Sequence, residues 1–333
     1  MTRKSLAGPI AFLLAFSGCG HQGMTGPTPS PSPTYTVTAT VFYDENGNGL
    51  LDPTENVRLP QVEVVAGPVS ARSASGSGQA VVTGVPAGSQ QVAIRTETVP
   101  VYFVPGSPVT VEVPQTGAPI LFPMRLPIGD NLPNVYMAFG DSITNGYGSS
   151  DGNGYRVKLQ NLLAGYLGRA EVVNQGKDGT FSTVGADRIP GSLNRTRPAY
   201  NLILYGTNDW NDESCQNAPP ASCYTIDSLR TIVEETKSTQ SLPVLATLTP
   251  ANPKINAGRN DWIDGMNALI KTLARQEGVL LADLNADFKA QGGDLSRLFY
   301  DEIHPNDAGY DVVAHSWMKA ITQARSSAAS SVF

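Results

Sequence analysis

Histidine is the side chain that most readily takes up and returns a proton near neutrality, and this chain of 333 residues has three. His21 sits in a stretch rich in Pro, Ser and Thr. His315 lies in Val312-Val313-Ala314-His315-Ser316-Trp317, a helical pattern with apolar neighbours, where a packing role is expected. His304 is set differently. It follows Asp301 by three residues in Tyr300-Asp301-Glu302-Ile303-His304-Pro305-Asn306, just ahead of a helix whose cap would be Asn306 or Asp307. In a turn, that spacing brings the carboxylate onto the imidazole. An Asp bound at Nδ1 fixes the tautomer and leaves Nε2 free to accept a proton. Such a base turns a hydroxyl into a nucleophile. The best-placed hydroxyl is Ser142, in Phe139-Gly140-Asp141-Ser142-Ile143-Thr144, directly after the apolar run 135–139. Ser150 lies in a G-x-S-x-G pattern, Gly148-Ser149-Ser150-Asp151-Gly152, but a Gly-Ser loop stands where that elbow needs a strand, so Ser142 is preferred.

Acyl transfer from an ester also needs donors for a developing oxyanion, each worth roughly 10²–10³ in rate. Two turns offer them. Asn174-Gln175-Gly176-Lys177-Asp178-Gly179 follows the run 170–174, and Gly206-Thr207-Asn208-Asp209 follows the run 202–205. Glycine lets a backbone N–H approach closely, and the Asn side chain donates one more bond. The elements that must position these groups are legible in outline. Apolar runs at 135–139, 170–174, 202–205, 244–248 and 279–283 alternate with helical stretches at 154–167, 226–238, 261–277 and 308–325. That alternation predicts an α/β region with a parallel sheet covered on both faces. Sheets of this kind place their sites outside the carboxyl ends of the strands.

The set Gly140-Asp141-Ser142, Gly179, Gly206-Thr207-Asn208-Asp209 and Asp301-x-x-His304 resembles the SGNH hydrolase family, also called GDSL esterases, over about residues 134–325. The resemblance implies a flavodoxin-like α/β/α three-layer fold that needs no cofactor for catalysis. It implies Ser142 as nucleophile and, through its backbone N–H, as first oxyanion donor. Gly179 and Asn208 would be the other donors, His304 the base and Asp301 its orienting acid. Ile143 stands where the family often has Leu, and Gly176 lies close enough to Gly179 to compete for its role. Family members act on acetylated sugars, lysophospholipids, thioesters and simple lipids. The reading favoured here is a serine esterase acting on short-acyl, acetyl-type esters of carbohydrate, with an acetylated polysaccharide as substrate. Trp210 is either an aromatic wall for a sugar or packing. A lipase or lysophospholipase is the alternative within the family. A non-catalytic, calcium-stabilised cell-surface binding protein is the alternative outside it.

The front half reads as something else. Residues 1–18 have Arg3 and Lys4 ahead of a short apolar stretch and resemble a lipoprotein signal peptide, with Cys19 as the lipidated residue; an ordinary cleaved signal is the alternative. Residues 19–34 form a Pro/Ser/Thr-rich tether. The expected location is therefore the bacterial cell envelope, with a lipid anchor in a membrane. Residues 35–127 contain short β-branched runs separated by Gly, Pro and Ser, which predicts an all-β sandwich, and the hydrolase region follows at 133–325. Asp44, Asn46, Asn48, Leu50, Asp52 and Glu55 fit the spacing of a calcium loop, D-x-[DN]-x-[DN]-G-x₅-E, although a strand rather than a helix precedes it. The segment resembles the calcium loops of SdrD-type B domains of bacterial surface proteins; a solvated turn is the alternative. Cys215 and Cys223 flank a short loop and could pair in an oxidising compartment or remain two thiols. Net charge is −6 and no basic run follows Lys4, which argues against a nucleic-acid partner.

Overall fold

The computed structural model describes residues 32–325. The expected signal peptide, Cys19, His21 and most of the tether lie outside the described residues. The chain first lays down eight strands: β1 (Thr34–Tyr43), β2 (Glu63–Ala66), β3 (Val69–Arg72), β4 (Gln79–Pro86), β5 (Gly88–Ile94), β6 (Val104–Pro105), β7 (Val109–Val113) and β8 (Ile120–Arg125). They pair as two four-stranded sheets, ordered β4-β1-β8-β6 and β3-β2-β5-β7. Alternation decides which side faces inward: Val37, Ala39 and Val41 of β1 and Val64 and Ala66 of β2 are fully buried.

From Leu132 the periodicity changes and so does the architecture. Strands β9 (Leu132–Gly140), β10 (Glu171–Gly176), β11 (Pro198–Leu204), β12 (Leu242–Ala246) and β13 (Leu280–Ala282) form one sheet in the order β10-β9-β11-β12-β13. Every pairing in it is parallel. Helices α1 (Ser142–Asn145), α2 (Arg156–Leu167), α3 (Ser182–Thr196), α4 (Glu213–Gln216), α5 (Thr225–Ser238), α6 (Arg259–Glu277), α7 (Leu284–Ala290) and α8 (Asp307–Ile321) connect and cover the strands. β9 shows how the layers arise. Tyr136 and Ala138 point into the cluster that holds Leu159, Leu163, Val313 and Trp317 of α2 and α8. Met137 and Phe139, one step out of phase, point into a second cluster with residues of α3, α5 and α6, including Ile189, Leu193, Ile232 and Met266. This is the α/β/α three-layer fold expected for the hydrolase region, with an additional β region ahead of it.

Two expectations need correction. The helical stretches expected from the sequence leave out 182–196; α3 forms there, across Gly185, Pro190 and Gly191, burying Ile189 and Leu193 against the sheet. Packing of its apolar stripe outweighs the lost backbone bond at Pro190. The last helix stops at Ile321, and Ala324 forms a bridge with Pro100 of the front region instead.

The front region and the hydrolase region form one compact unit and share one hydrophobic cluster. The shared seam lies at the amino ends of the parallel strands. The Tyr102 hydroxyl donates to the Pro243 carbonyl at 2.7 Å, at the start of β12, and the Tyr102 ring lies 6.0 Å from that of Tyr200. Asn134 donates to Glu45 at 2.7 Å, and the Arg58 amide donates to the Leu167 carbonyl at 2.8 Å. Arg325 donates to the carbonyls of Val101 and Phe103.

Candidate active site

The opposite, carboxyl edge of the parallel sheet carries the chemistry-bearing residues. β9 ends at Gly140, and the chain turns at once into α1, whose first residue is Ser142. Asp141 caps that turn by accepting from the Ile143 amide at 2.9 Å. Gly140 has no freedom here: a Cβ would run into Thr144 and the Leu204 carbonyl. Sheet order makes β10 and β11 the two neighbours of β9, so the turns after all three strands meet at one place. The chain leaves β9 toward β10 and then crosses to β11 on the other side. That reversal opens a crevice, as expected of open α/β sheets.

Asp301, Ile303 and His304 form a tight turn before α8. Asp301 Oδ1 accepts from the amides of Ile303 at 3.0 Å and His304 at 2.9 Å. The same carboxylate meets His304 Nδ1 at 2.8 Å through Oδ2. His304 Nε2 lies 2.8 Å from Ser142 Oγ, across 162 residues of sequence. Burial pushes the Asp301 carboxyl up, but the amide and ring of His304 and the Ile303 amide outweigh it and hold the acid below its ordinary range. It is therefore ionised at neutrality. With Nδ1–H donated to Asp301, Nε2 is the basic nitrogen and accepts from the serine hydroxyl.

The donor loops converge on the same point. The Asn208 side-chain amide donates to the Thr180 carbonyl at 3.1 Å and reaches Asp141 Oδ2 at 3.4 Å, so it stands beside the nucleophile's turn. Asp209 Oδ1 accepts from the Ser182 amide at 2.8 Å, and this joins the turn after β11 to the start of α3. The two glycines after β10 differ. Gly176 is packed so closely that a Cβ would strike the Asn145 amide, and its own N–H donates to Asn174. Gly179 has a φ of +66° with open space where a Cβ would stand. Trp210 packs against the second cluster, with the Arg259 guanidinium 4.7 Å over its ring. His315, expected to pack, is on the exposed face of α8 instead, with Nδ1 against the Asp311 carbonyl at 2.8 Å. Ser150 is exposed and donates its amide to Asp307.

Two arginines complete the edge, and sequence reasoning missed both. Arg188 of α3 donates to the carbonyls of Gly140 and Gln175 and to the Tyr205 hydroxyl, with its guanidinium 4.2 Å over the Phe139 ring. It binds the ends of β9 and β10 together. Arg259, at the start of α6, is 2% exposed. It donates to Glu302 at 3.0 Å and to the Thr207 carbonyl, so it clamps the His304 turn to the Asn208 turn. Nothing in the local sequence marks either residue, because each acts on segments distant along the chain. Cys215 and Cys223 are joined by a disulfide, which ties α4 to the segment ahead of α5.

The front loop is ordered by hydrogen bonds of its own. Asp44 Oδ2 accepts from the Gly49 amide and from Arg125 Nε, both at 2.9 Å. Asn46 and Asn48 donate to Asp52 Oδ2 at 2.7 and 2.8 Å, and Glu55 accepts from the amides of Glu45 and Asp52. The backbone of Leu50 is held by Asn48 at 2.7 Å. Asp44 Oδ1 is buried without a partner. Among the described residues, no three His, Cys, Asp or Glu side chains converge as a metal cluster.

The parallel sheet carries Ser142, His304 and Asp301 linked in series at its carboxyl edge, and the chain is a carboxylic ester hydrolase. The chain belongs to the GDSL-like Lipase/Acylhydrolase family, whose family model matches residues 138–312, just over half of its length. Similar solved structures include LAE5, an alpha/beta hydrolase enzyme from the metagenome of Lake Arreo, Spain, at 25% identity; it covers 58% of this chain and 97% of its own, with a TM-score of 0.49. An acetylxylan esterase from Geobacillus stearothermophilus is 22% identical and covers 57% of this chain and 95% of its own, with a TM-score of 0.48. A lipase/acylhydrolase from Enterococcus faecalis is 20% identical over the same shares, 57% and 95%, with a TM-score of 0.48. No curated protein matches the chain.

Proposed function

We propose that this protein is a serine esterase that removes short acyl groups, acetyl above all, from carbohydrate through a covalent acyl-enzyme. The observation that carries the mechanism is the linear relay, 2.8 Å from Ser142 Oγ to His304 Nε2 and 2.8 Å from His304 Nδ1 to Asp301. Ser142 Oγ attacks the ester carbonyl as its proton passes to Nε2. Asp301 holds Nδ1–H and stabilises the imidazolium. The Ser142 and Gly179 amides and the Asn208 side chain donate to the tetrahedral oxyanion. Collapse breaks the bond to the alcohol oxygen, which leaves with the proton from Nε2. Water then attacks the acyl-enzyme, losing a proton to Nε2, and the released acid departs as Ser142 recovers its proton. The left-handed Gly179, free of the close packing that engages Gly176, supports its place among the donors. The short side chains near the site, at Gly179, Thr180, Ser182 and Thr183, suit a small acyl group.

The test compares p-nitrophenyl acetate with longer acyl esters and acetylated xylan, with Ser142→Ala as control. Acetate release that vanishes in the variant supports the proposal. Preference for long chains moves the enzyme to the lipid hydrolases. Absence of Ser142-dependent turnover and of fluorophosphonate labelling favours the binding-protein reading. Anchoring through Cys19 belongs to the same proposal; Cys19→Ala should move the protein from the envelope to the soluble fraction.

A calcium ion in the Asp44–Glu55 loop is a separate proposal. The buried, unpartnered Asp44 Oδ1 favours it. Asp44, Asn46, Asn48, Asp52, Glu55 and the Leu50 carbonyl would hold the ion, and Arg125 would have to yield its place on Asp44. Calorimetry showing no binding at millimolar calcium would exclude it.

A further inference from the structure

We infer that Tyr147 and Tyr300 form the wall of a subsite for the leaving alcohol, and that this alcohol is a pyranoside ring. The inference rests on the serine-esterase reading and adds to it which side of the site takes the sugar.

In that mechanism the alcohol oxygen collects its proton from His304 Nε2, so the alcohol must lie on the imidazole side of Ser142, away from Asn208 and Gly179. Tyr147 borders the imidazole, its ring centroid 4.5 Å from that of His304. Tyr300 crosses Tyr147 edge to face, with centroids 6.0 Å apart and planes at 80°. Both rings face solvent, at 49% and 63% exposure.

The backbone around them is built to hold them there. The Tyr147 amide donates to the Ser142 carbonyl at 3.0 Å, and its own carbonyl accepts from the Tyr310 hydroxyl at 2.7 Å. The Tyr300 amide donates to the His304 carbonyl at 2.8 Å. Gly148 follows Tyr147 with a φ of +90°, and a Cβ there would press on Tyr300 and the Pro305 carbonyl. Each tyrosine is thus fixed by a backbone bond to one member of the reactive pair.

The two rings open onto a cavity of about 390 Å³, completed by Gly148, Ser149, Ser150, Asn306 and Asp307. That volume falls within the roughly 300–1,000 Å³ of small-molecule sites. Its chemistry is mixed. Ring faces suit the C–H faces of a pyranose, while the Ser150 hydroxyl and the Asp307 carboxylate suit its hydroxyls. Asp307 is held below the usual carboxylate range, first by the Ser150 amide and then by its hydroxyl, so it stays a charged acceptor. A fatty alcohol or a lysophospholipid phosphate would be poorly served by that rim.

Two measurements test this. The first is the ratio of kcat/KM on acetylated xylan to that on p-nitrophenyl acetate. Tyr300→Ala should lower this ratio about tenfold, chiefly through KM on the polymer, and Tyr300→Phe should restore most of it because the ring face remains. Equal losses on both substrates would overturn the subsite, since a merely structural role would not discriminate between leaving groups. The second needs no turnover: binding of xylotriose, cellotriose or mannotriose to the Ser142→Ala protein, read by saturation-transfer NMR. Binding of at least one sugar, weakened by Tyr300→Ala, supports the subsite. No binding of any of the three, or binding unaffected by the substitution, overturns it. Failure of the esterase reading would show separately, as p-nitrophenyl acetate turnover that survives Ser142→Ala.

Discussion

Asp141 sits one residue before the nucleophile, yet nothing in the relay needs its charge. Its carboxyl is fully buried, and burial, with lesser repulsion from Asp209 and Asp178, pushes it up to about 7. In the unfolded chain it would titrate near ~3.9. A carboxyl raised on folding stabilises the fold fully below the unfolded value, and that contribution is lost as pH rises through the folded value. Asp141→Asn keeps the cap acceptor without the ionisation. The stability of the parent relative to this variant should therefore fall between about pH 4 and 7, by up to about 4 kcal/mol. Chemical denaturation across that window measures it, and a flat difference would show that Asp141 stays ionised. Asp301 has the opposite task and the opposite shift. Asp301→Asn should leave the fold intact while kcat on p-nitrophenyl acetate drops about 10³–10⁴-fold, because the ring loses the partner that fixes its tautomer.

Among the elements, the turns at the carboxyl edge depend on groups that hold them together. The His304 turn is fastened by Arg259 through Glu302, and by Asn252, whose amide donates to the Glu302 carbonyl at 2.7 Å and whose side chain donates to the Asp301 carbonyl at 3.2 Å. Arg259 also holds the Thr207 carbonyl, so one guanidinium spans base turn and donor turn. Arg259→Ala should lower kcat about 10²-fold, the cost of misplacing reacting groups by about an ångström. Arg259→Lys should recover little, because a single ammonium cannot reproduce the planar fork. Steady-state kinetics beside a melting curve separate this from simple unfolding. Gly140→Ala should be worse for the fold than for the chemistry, since its Cβ meets the neighbouring strand's backbone at Leu204.

For the whole molecule, the position of the front region matters. It packs on the amino ends of the parallel strands, away from Ser142, and Tyr102 plugs the seam against Tyr200 and Pro243. A direct extension of the substrate groove is therefore not what it supplies. Stability is. Deleting residues 34–127 would expose Tyr136 and Tyr200, each 2% exposed in the intact chain. The shortened protein should aggregate or melt at lower temperature rather than merely lose targeting. Tyr102→Ala should cost about 3 kcal/mol in the intact chain, measured by denaturant titration.

How much of this was legible beforehand follows from the range over which each signal acts. The alternation of apolar runs and amphipathic stretches showed the three-layer sheet, because burial leaves a periodic mark on each element. Asp301 and His304 could be paired by eye, being three residues apart within one turn, and Ser142 stood out at a strand end. α3 was hidden because Pro190 and the glycines speak against a helix locally, and only packing on Met137 and Phe139 reverses them. Arg188, Arg259, Tyr147 and Tyr300 left no pattern at all. Their partners lie on other strands and turns, brought close only once parallel pairing sets β10 and β11 beside β9. Local sequence thus determined which groups could react and which elements would carry them. Tertiary structure decided which of those groups meet, what wall stands beside the imidazole, and at which end of the sheet the front region lies, because these depend on strand order and register, which hydrophobic periodicity does not encode.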